Sequence, residues 1–404
     1  MVVRSLRSFV IAIVIAIIVI GVPVVQLVRP IPQATADVAA PLPRVIQGQK
    51  PVIHWPAQGE AALMADGVGS FGSSGPQVSV PIASVTKVMT AYLVLQKHPL
   101  QLGQQGPSIT ITPDDVKVYE RDKALGQSVV KVAAGEKITE YQALQGLLLP
   151  SGNNMGTLLA KWCDGSVQAF VQEMNATAKR LGMTETHYAD PTGYSPASQS
   201  DAVDQMKLFA LAMENPVFRQ IVGEAQAELP VAGLVYNVDS VVGHGTIIGG
   251  KTGSTLEAGG CFVFAARKVI GSREVLIIGA VLGQKGPQPL AEALNSAVTM
   301  SQNAQKALQS VQLISAGQTV GTLSAPWAKP VSLVATEPVQ VIGWGGLPVQ
   351  QSYRADALNP KKPIEPNQVV GQLQIQVGAQ TVRVPIAAAS SVPAPTLSWR
   401  MKRL

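Results

Sequence analysis

The sequence predicts an α+β fold followed by a separate all-β module, and three observations carry that reading. From about Arg44 to Gln309, amphipathic helical segments and strand segments are mixed. Two strand segments, residues 261–267 and 274–283, are joined by the short KVIGS connection, which predicts a hairpin. An antiparallel sheet with helices packed against it follows, rather than a βαβ series. From Ser310 to Ala389 no helical period survives, and short β-branched runs alternate with Gly and Pro.

Along the chain, residues 1–36 stand apart from the folded part. Arg4 and Arg7 precede a run without charge from Ser8 to Val28, the pattern of an export signal or a membrane anchor. The run is longer than the ~7–15 residues of a cleavable signal core and near the lower limit of the ~17–25 needed to cross a bilayer. Ala34–Thr35–Ala36 before Asp37 is a cleavage-site pattern. Cleaved signal and retained anchor both stay open, and both place the rest of the chain outside the cytoplasm. Residues 166–183 predict a helix: Val167, Phe170, Val171, Met174, Ala178 and Leu181 recur at helical spacing. Ser166 is its N-cap and Gly182 its left-handed terminator. Residues 200–213 predict a second helix with a polar cap, and residues 290–308 a third, longer one. The domain boundaries follow: a leader over 1–36, a mixed domain over 45–309, a β module over 310–389 and a basic tail over 390–404. The tail ends in Arg400, Lys402 and Arg403, and reads as solvated, with contact to an anionic membrane surface as the alternative.

Composition removes several function classes. The chain has 404 residues, a net charge of +6 and only 14% charged residues. It is long enough for a sizeable core and too hydrophobic for disorder. The basic excess is small and no Arg/Lys stripe interleaved with aromatics is visible, so no nucleic-acid partner is expected. Cys163 and Cys261 are far apart and lack metal spacing; they are either two buried thiols or a disulfide. His54, His98, His187 and His244 form no paired-ligand pattern. No metal and no cofactor is expected.

Three short motifs carry chemistry. In PIASVTKVMTAYLVL, Ser84 and Lys87 sit three apart on one helix face, in or near the first turn after Pro81. Alone this is an N-cap serine and a solvated lysine as readily as a nucleophile and its base. In LLLPSGNN, Ser151 and Asn153 present a hydroxyl and a carboxamide where an apolar segment stops; alone this is a turn. In GGKTGST, Lys251 and Thr252 lie among glycines just before the strand at Cys261, where a ligand could approach the backbone closely.

Taken in order, S-x-x-K, S-x-N and K-T-G form the signature of penicillin-recognising serine enzymes. The chain resembles the low-molecular-weight penicillin-binding proteins, the serine-type D-alanyl-D-alanine carboxypeptidases, over roughly residues 45–389. The likeness extends to FVQEMNATAKRLGMTETHYADPTG, to GGKTGSTLEAGGC and to the β-rich part with GQTVG, VQVIGW and VVGQL. Two positions depart from the family pattern: Asn154 stands where the family has Asp, and Asp190 where its N-P-x-G turn has Asn. A C-terminal amphipathic anchor helix is missing or much reduced.

The resemblance implies a β-lactamase/transpeptidase-like domain followed by a small β-sandwich. It implies Ser84 as nucleophile, Lys87 as base and Ser151 as proton relay. Asn153 would orient Lys87 and the substrate amide. Lys251 and Thr252 would bind the substrate carboxylate, and the backbone N–H groups of Ser84 and Ser254 would hold the oxyanion. The implied partners are peptidoglycan stem peptides ending in D-Ala-D-Ala and β-lactam antibiotics, with the membrane a partner if the leader is uncleaved. The alternatives on this scaffold are a β-lactamase, a peptidoglycan endopeptidase and a non-catalytic penicillin-sensing module.

Overall fold

The computed structural model describes residues 2–403, and of residues 2–7 and Ile18 the backbone only. The basic start at Arg4 and Arg7 therefore lies outside the described side chains. The chain divides into two compact units, one of Gln49–Gln309 and one of Met1–Gly48 with Ser310–Leu404.

The first unit is built on a five-stranded sheet in the order Ile247–Thr255, Gly259–Ile270, Arg273–Gln284, Glu60–Ala65, Gly69–Ser74. Every pairing is antiparallel. The expected hairpin is present and longer than its apolar core suggested, running to Ile270↔Arg273 at its tip. Eight consecutive residues are buried in each hairpin strand, so both faces are covered. Helices Pro289–Ala307 and Ala202–Glu214 supply part of that cover. The strand Glu60–Ala65 was not expected from sequence. Its residues, EAALMA, are helix formers, and burial between two strands overrides that preference.

Helices form where the caps and periods place them. Ser166 Oγ accepts from Ala169 N at the start of Val167–Arg180, and Gly182 closes that helix at φ +67°. Ala202–Glu214 is capped by Asp201, one residue later than expected. Thr112 with Asp115 and Thr139 with Gln142 make reciprocal capping boxes at Pro113–Ala124 and Glu140–Leu148. Lys87–Lys97 is buried on nearly every side, so the apolar run after Lys87 is core.

The second unit holds a six-stranded sheet in the order Thr35–Val38, Thr319–Ser324, Val331–Ala335, Gln380–Ala388, Val369–Val377, Val349–Ala355. Gln309–Ile314 and Val339–Gly343 form a further pair. Thr35 and Ala36, assigned from sequence to the leader, already belong to this sheet: they pair with Ser324 and Leu323. The helix Val2–Val28 contains a stretch, Ser8–Val28, long and apolar enough to cross a membrane. The tail is not a frayed, solvated end. Leu397–Lys402 is a short helix capped by Thr396, and Arg400 donates to the Leu27 carbonyl. Arg403 donates to the carbonyls of Gln26 and Pro30 at 2.9 and 3.0 Å. Polar side chains thereby satisfy carbonyls that the end of an apolar helix leaves without partners.

Candidate active site

Ser84 lies in a single 3₁₀ turn, Ala83–Thr86, immediately before the helix that Lys87 opens. It is not an N-cap: the turn has no side-chain cap. Its hydroxyl lies 2.7 Å from Lys87 Nζ. Lys87 is fully buried and also donates to the Thr192 carbonyl at 2.8 Å. Ala83, just before the nucleophile candidate, has φ +46°, and Ser151 has φ +63°. Such left-handed non-glycine residues cost about 1–3 kcal/mol each and cluster at sites that need an imposed geometry.

Two glycines let neighbouring segments close on that turn. A Cβ on Gly193 would stand 1.7 Å from the Ala83 carbonyl oxygen, at a φ of +78°. One on Gly253 would stand 2.9 Å from Ser84 N. The D-P-T-G turn and the K-T-G strand can therefore meet the Ser84 turn only as glycine at these positions.

The strand Ile247–Thr255, at one edge of the sheet, carries Lys251 and Thr252 opposite Val263 and Phe262. Both are buried, whereas Ser254 is exposed at the strand's end. Lys251 Nζ donates to Ser151 Oγ at 3.0 Å and to the Thr252 carbonyl at 2.9 Å. The structure thus holds together Ser84 and Lys87, the pair expected from sequence, and adds a second hydroxyl–lysine pair, Ser151 with Lys251, which sequence did not predict.

Asn153 behaves differently from the expectation. Its Nδ2 donates to Gln127 Oε1 at 2.5 Å, its Oδ1 is buried without a protein partner, and Lys87 is held by the Thr192 carbonyl instead. A cleft of ≈ 430 Å³ runs past Asn153, bounded by Gln127, Asp190, Thr192, Tyr194 and Arg121. The two departures from the family pattern have local reasons. Asn154 both accepts from Val130 N and donates to the Val130 carbonyl, at 2.9 and 2.8 Å. An ionised carboxylate could not make the second bond. Asp190 accepts from Thr192 N, Thr192 Oγ1 and Gly193 N on one oxygen, and from Ser195 N and Ser198 Oγ on the other. An Asn amide nitrogen would face the Ser195 N–H.

Electrostatics separate the two lysines. Burial holds Lys87 well below the usual lysine range, and the Lys251 cation pushes it further down, with Asp190 opposing. Burial brings Lys251 down to about 7, and the charge of Asp239 opposes that fall. Asp239 is itself pushed up to about 6 by burial, against a bond from Val241 N and the attraction of Lys251. Burial and the Lys251 cation both favour the neutral amine of Lys87, the form able to accept the Ser84 proton. Sequence reasoning missed the Thr192 carbonyl, Gln127 and Asp239. Asp239 sits in an aperiodic loop twelve positions before Lys251, with no signal in a single sequence.

Among the described residues no group of three or more His, Cys, Asp or Glu could hold a metal ion. Cys163 and Cys261 are both free thiols, Cys261 buried and Cys163 partly so.

A partly buried serine on a buried lysine, closed over by an S-x-N loop and a K-T-G strand, defines a serine enzyme of the penicillin-recognising class. The family model described as D-alanyl-D-alanine carboxypeptidase, peptidase S11, matches residues 71–286. The chain is 33% identical over 237 residues to the D-alanyl-D-alanine carboxypeptidase DacB2 of Mycobacterium tuberculosis, covering 57% of this chain and 76% of that one. It is 32% identical over 239 residues to a D-alanyl-D-alanine endopeptidase of Pseudomonas aeruginosa, covering 57% and 73%. Among solved structures, penicillin-binding protein 5 of Haemophilus influenzae shares the fold, with a TM-score of 0.59 at 20% identity over 86% of this chain and 99% of that one. The Streptomyces K15 DD-transpeptidase matches with a TM-score of 0.54 at 26% identity, over 63% and 98%. The chain belongs to the D-alanyl-D-alanine carboxypeptidase family of serine peptidases.

Proposed function

We propose that this protein removes the terminal D-alanine from peptidoglycan stem peptides through an acyl-enzyme on Ser84. The supporting observation is the 2.7 Å contact between Ser84 Oγ and a fully buried Lys87 held below the usual lysine range. Ser84 Oγ attacks the carbonyl of the D-Ala–D-Ala amide and gives its proton to the Lys87 amine. The oxyanion is held by the backbone N–H groups of Ser84 and Ser254, and loss of one costs about 3–4 kcal/mol. The C–N bond breaks as Ser151 passes a proton to the departing D-alanine nitrogen, and the proton that Lys87 took from Ser84 restores the Ser151 hydroxyl, leaving Lys87 neutral again. Ser151 is placed for this by Lys251 at 3.0 Å. Lys251 and Thr252 bind the terminal carboxylate. Asn153 orients the substrate amide through its unpartnered Oδ1, which accepts an N–H that no protein group supplies. Water then attacks the ester carbonyl, its proton returns through Lys87 to Ser84, and the shortened peptide leaves. β-Lactams acylate the same serine and leave slowly.

Hydrolysis of cross-linked peptides is the second reading, favoured by the endopeptidase relative at 32% identity. Rates on a cross-linked peptide against a pentapeptide separate the two. The enzyme acts outside the cytoplasm, attached to the membrane by a retained N-terminal helix. Its support is the strand Thr35–Val38, which a cut after Ala36 would divide, and the arginine contacts on the end of that helix.

The test is mass spectrometry after incubation with a β-lactam. Wild type gains an adduct on the Ser84 peptide and Ser84→Ala gains none. No adduct on folded wild type overturns the reading.

A further inference from the structure

Gln127 lines the cleft beside Asn153 and has no part in the chemistry above. Its place is set by the end of a helix. Past Pro113–Ala124 the chain turns through a left-handed glycine, Gly126 at φ +71°. Gly126 N donates to the Lys123 carbonyl and Gln127 N to the Asp122 carbonyl, both at 3.0 Å. These are the two bonds of a Schellman terminator, and they fix where Gln127 leaves the helix. The residues that follow are stitched to the start of the helix Asn153–Asp164. Asn153 N donates to the Ser128 carbonyl at 2.8 Å. The Asn154 amide accepts from Val130 N and donates to the Val130 carbonyl. These bonds join the two segments without any help from the Gln127 side chain. That side chain is spent on one group among the described residues: its Oε1 accepts from Asn153 Nδ2 at 2.5 Å.

We infer that Gln127 is the positioning residue for Asn153: by holding the amino end of the carboxamide, it leaves the carbonyl end as the acceptor that meets a backbone N–H of the stem peptide. The inference rests on the Ser84 acyl-enzyme reading and deepens it. Asn153 is 5% exposed, and its Oδ1 is buried without a hydrogen-bond partner. A buried acceptor left unpaired is costly, so the substrate N–H that fills it gains a well-placed bond. A carboxamide has a donor end and an acceptor end of nearly the same shape. Half a turn about its last bond would offer the substrate N–H a second donor, which repels it. An acceptor fixed at Nδ2 opposes that turn, and Gln127 Oε1 is that acceptor. Gln127 therefore acts on substrate through Asn153, and its effect should vanish when Asn153 is removed.

A double-mutant cycle tests this, with kcat/KM on a D-Ala-D-Ala-terminated peptide as the readout. The proteins are wild type, Gln127→Ala, Gln127→Glu, Asn153→Ala and the Gln127→Ala/Asn153→Ala double variant. Gln127 is partly exposed and the stitching bonds do not involve its side chain, so its variants keep the fold. Gln127→Ala should lower kcat/KM roughly 5- to 10-fold. Gln127→Glu keeps an acceptor for Asn153 Nδ2 and should stay within about 3-fold of wild type. The double variant should be no slower than Asn153→Ala alone, because the two residues act as one unit. A double variant whose loss is the product of the two single losses overturns the proposal, since Gln127 would then act independently of Asn153. So does a Glu variant as slow as the Ala variant, or an Ala variant as fast as wild type. The β-lactam adduct on Ser84, measured on the same preparations, separates the two readings. If wild type forms the adduct and the cycle shows no coupling, Gln127 is wrong and the nucleophile stands. If wild type forms no adduct, both fall.

Discussion

Lys87 and Lys251 are both buried lysines, each beside a serine hydroxyl and a backbone carbonyl, yet the charges acting on them differ in sign. Lys87 sits at the start of a core helix, with a second lysine as the larger of the two charges acting on it. Lys251 sits in a sheet with a buried carboxylate acting on it. The hydrogen-bond partners are nearly the same, so what divides the two lysines is the sign of the neighbouring charge, which suits the base and the carboxylate-binding cation proposed for them. A lysine desolvated beside a cation gives up its proton; one desolvated beside an anion keeps it to higher pH.

The largest effect expected from breaking this contrast is at Lys87. Lys87→Ala removes the only base in contact with Ser84 Oγ among the described residues, and acylation by a β-lactam, followed by mass or fluorescence, should slow by roughly 10²–10⁴-fold. A variant within a few-fold of wild type would transfer the base role elsewhere. Asp190→Asn sharpens the contrast more gently. The Asp190 charge raises Lys87, so removing it leaves Lys87 deprotonated to lower pH. The acid limb of acylation should move to lower pH. Thermal stability should also fall, because the Ser195 N–H loses its acceptor. A limb that stays in place would confine Asp190 to shaping the turn.

The smallest effect comes from a buried charge with no opposite partner at all. Glu140 is fully buried, neither carboxylate oxygen has a hydrogen-bond partner, and burial pushes its pKa up to about 7. Its folded-state pKa lies above the unfolded value, so the fold binds the proton more tightly than the unfolded chain does. Stability is greatest below about 4.5, the unfolded value, and declines as pH rises towards 7. Glu140→Gln should therefore melt roughly 2–4 °C higher than wild type at pH 8 and close to it at pH 5 by calorimetry. Equal melting points at pH 8 would mean that the carboxylate has a partner in solution.

Much of the site was legible in order along the chain. S-x-x-K, S-x-N and K-T-G each named side chains that the fold brings to one place: Ser84 with Lys87, and Ser151 with Lys251. The caps at Ser166 and the closing Gly182 were legible because they act within one helical turn. The hairpin 259–284 was legible because its strands are adjacent in sequence. The strand Glu60–Ala65 was not, since its pairing with Arg273–Gln284 spans more than two hundred residues and its composition favours a helix. The same reason hid the strand Thr35–Val38, whose partner is Thr319–Ser324, and the contact of Arg400 and Arg403 with the N-terminal helix.

What the sequence determined by itself was the inventory: which hydroxyls, amines and amides exist, which turns must be glycine, and where helices begin. Only the tertiary structure decided how those groups are charged. Protonation depends on how far a side chain is removed from water and on which charge sits beside it. Both are set by contacts between segments up to a hundred or more residues apart. Ser84 and Lys87 were neighbours from the start. That Lys87 is pushed towards the neutral amine follows from burial and Lys251, and that the fall at Lys251 is opposed follows from Asp239, which no motif names.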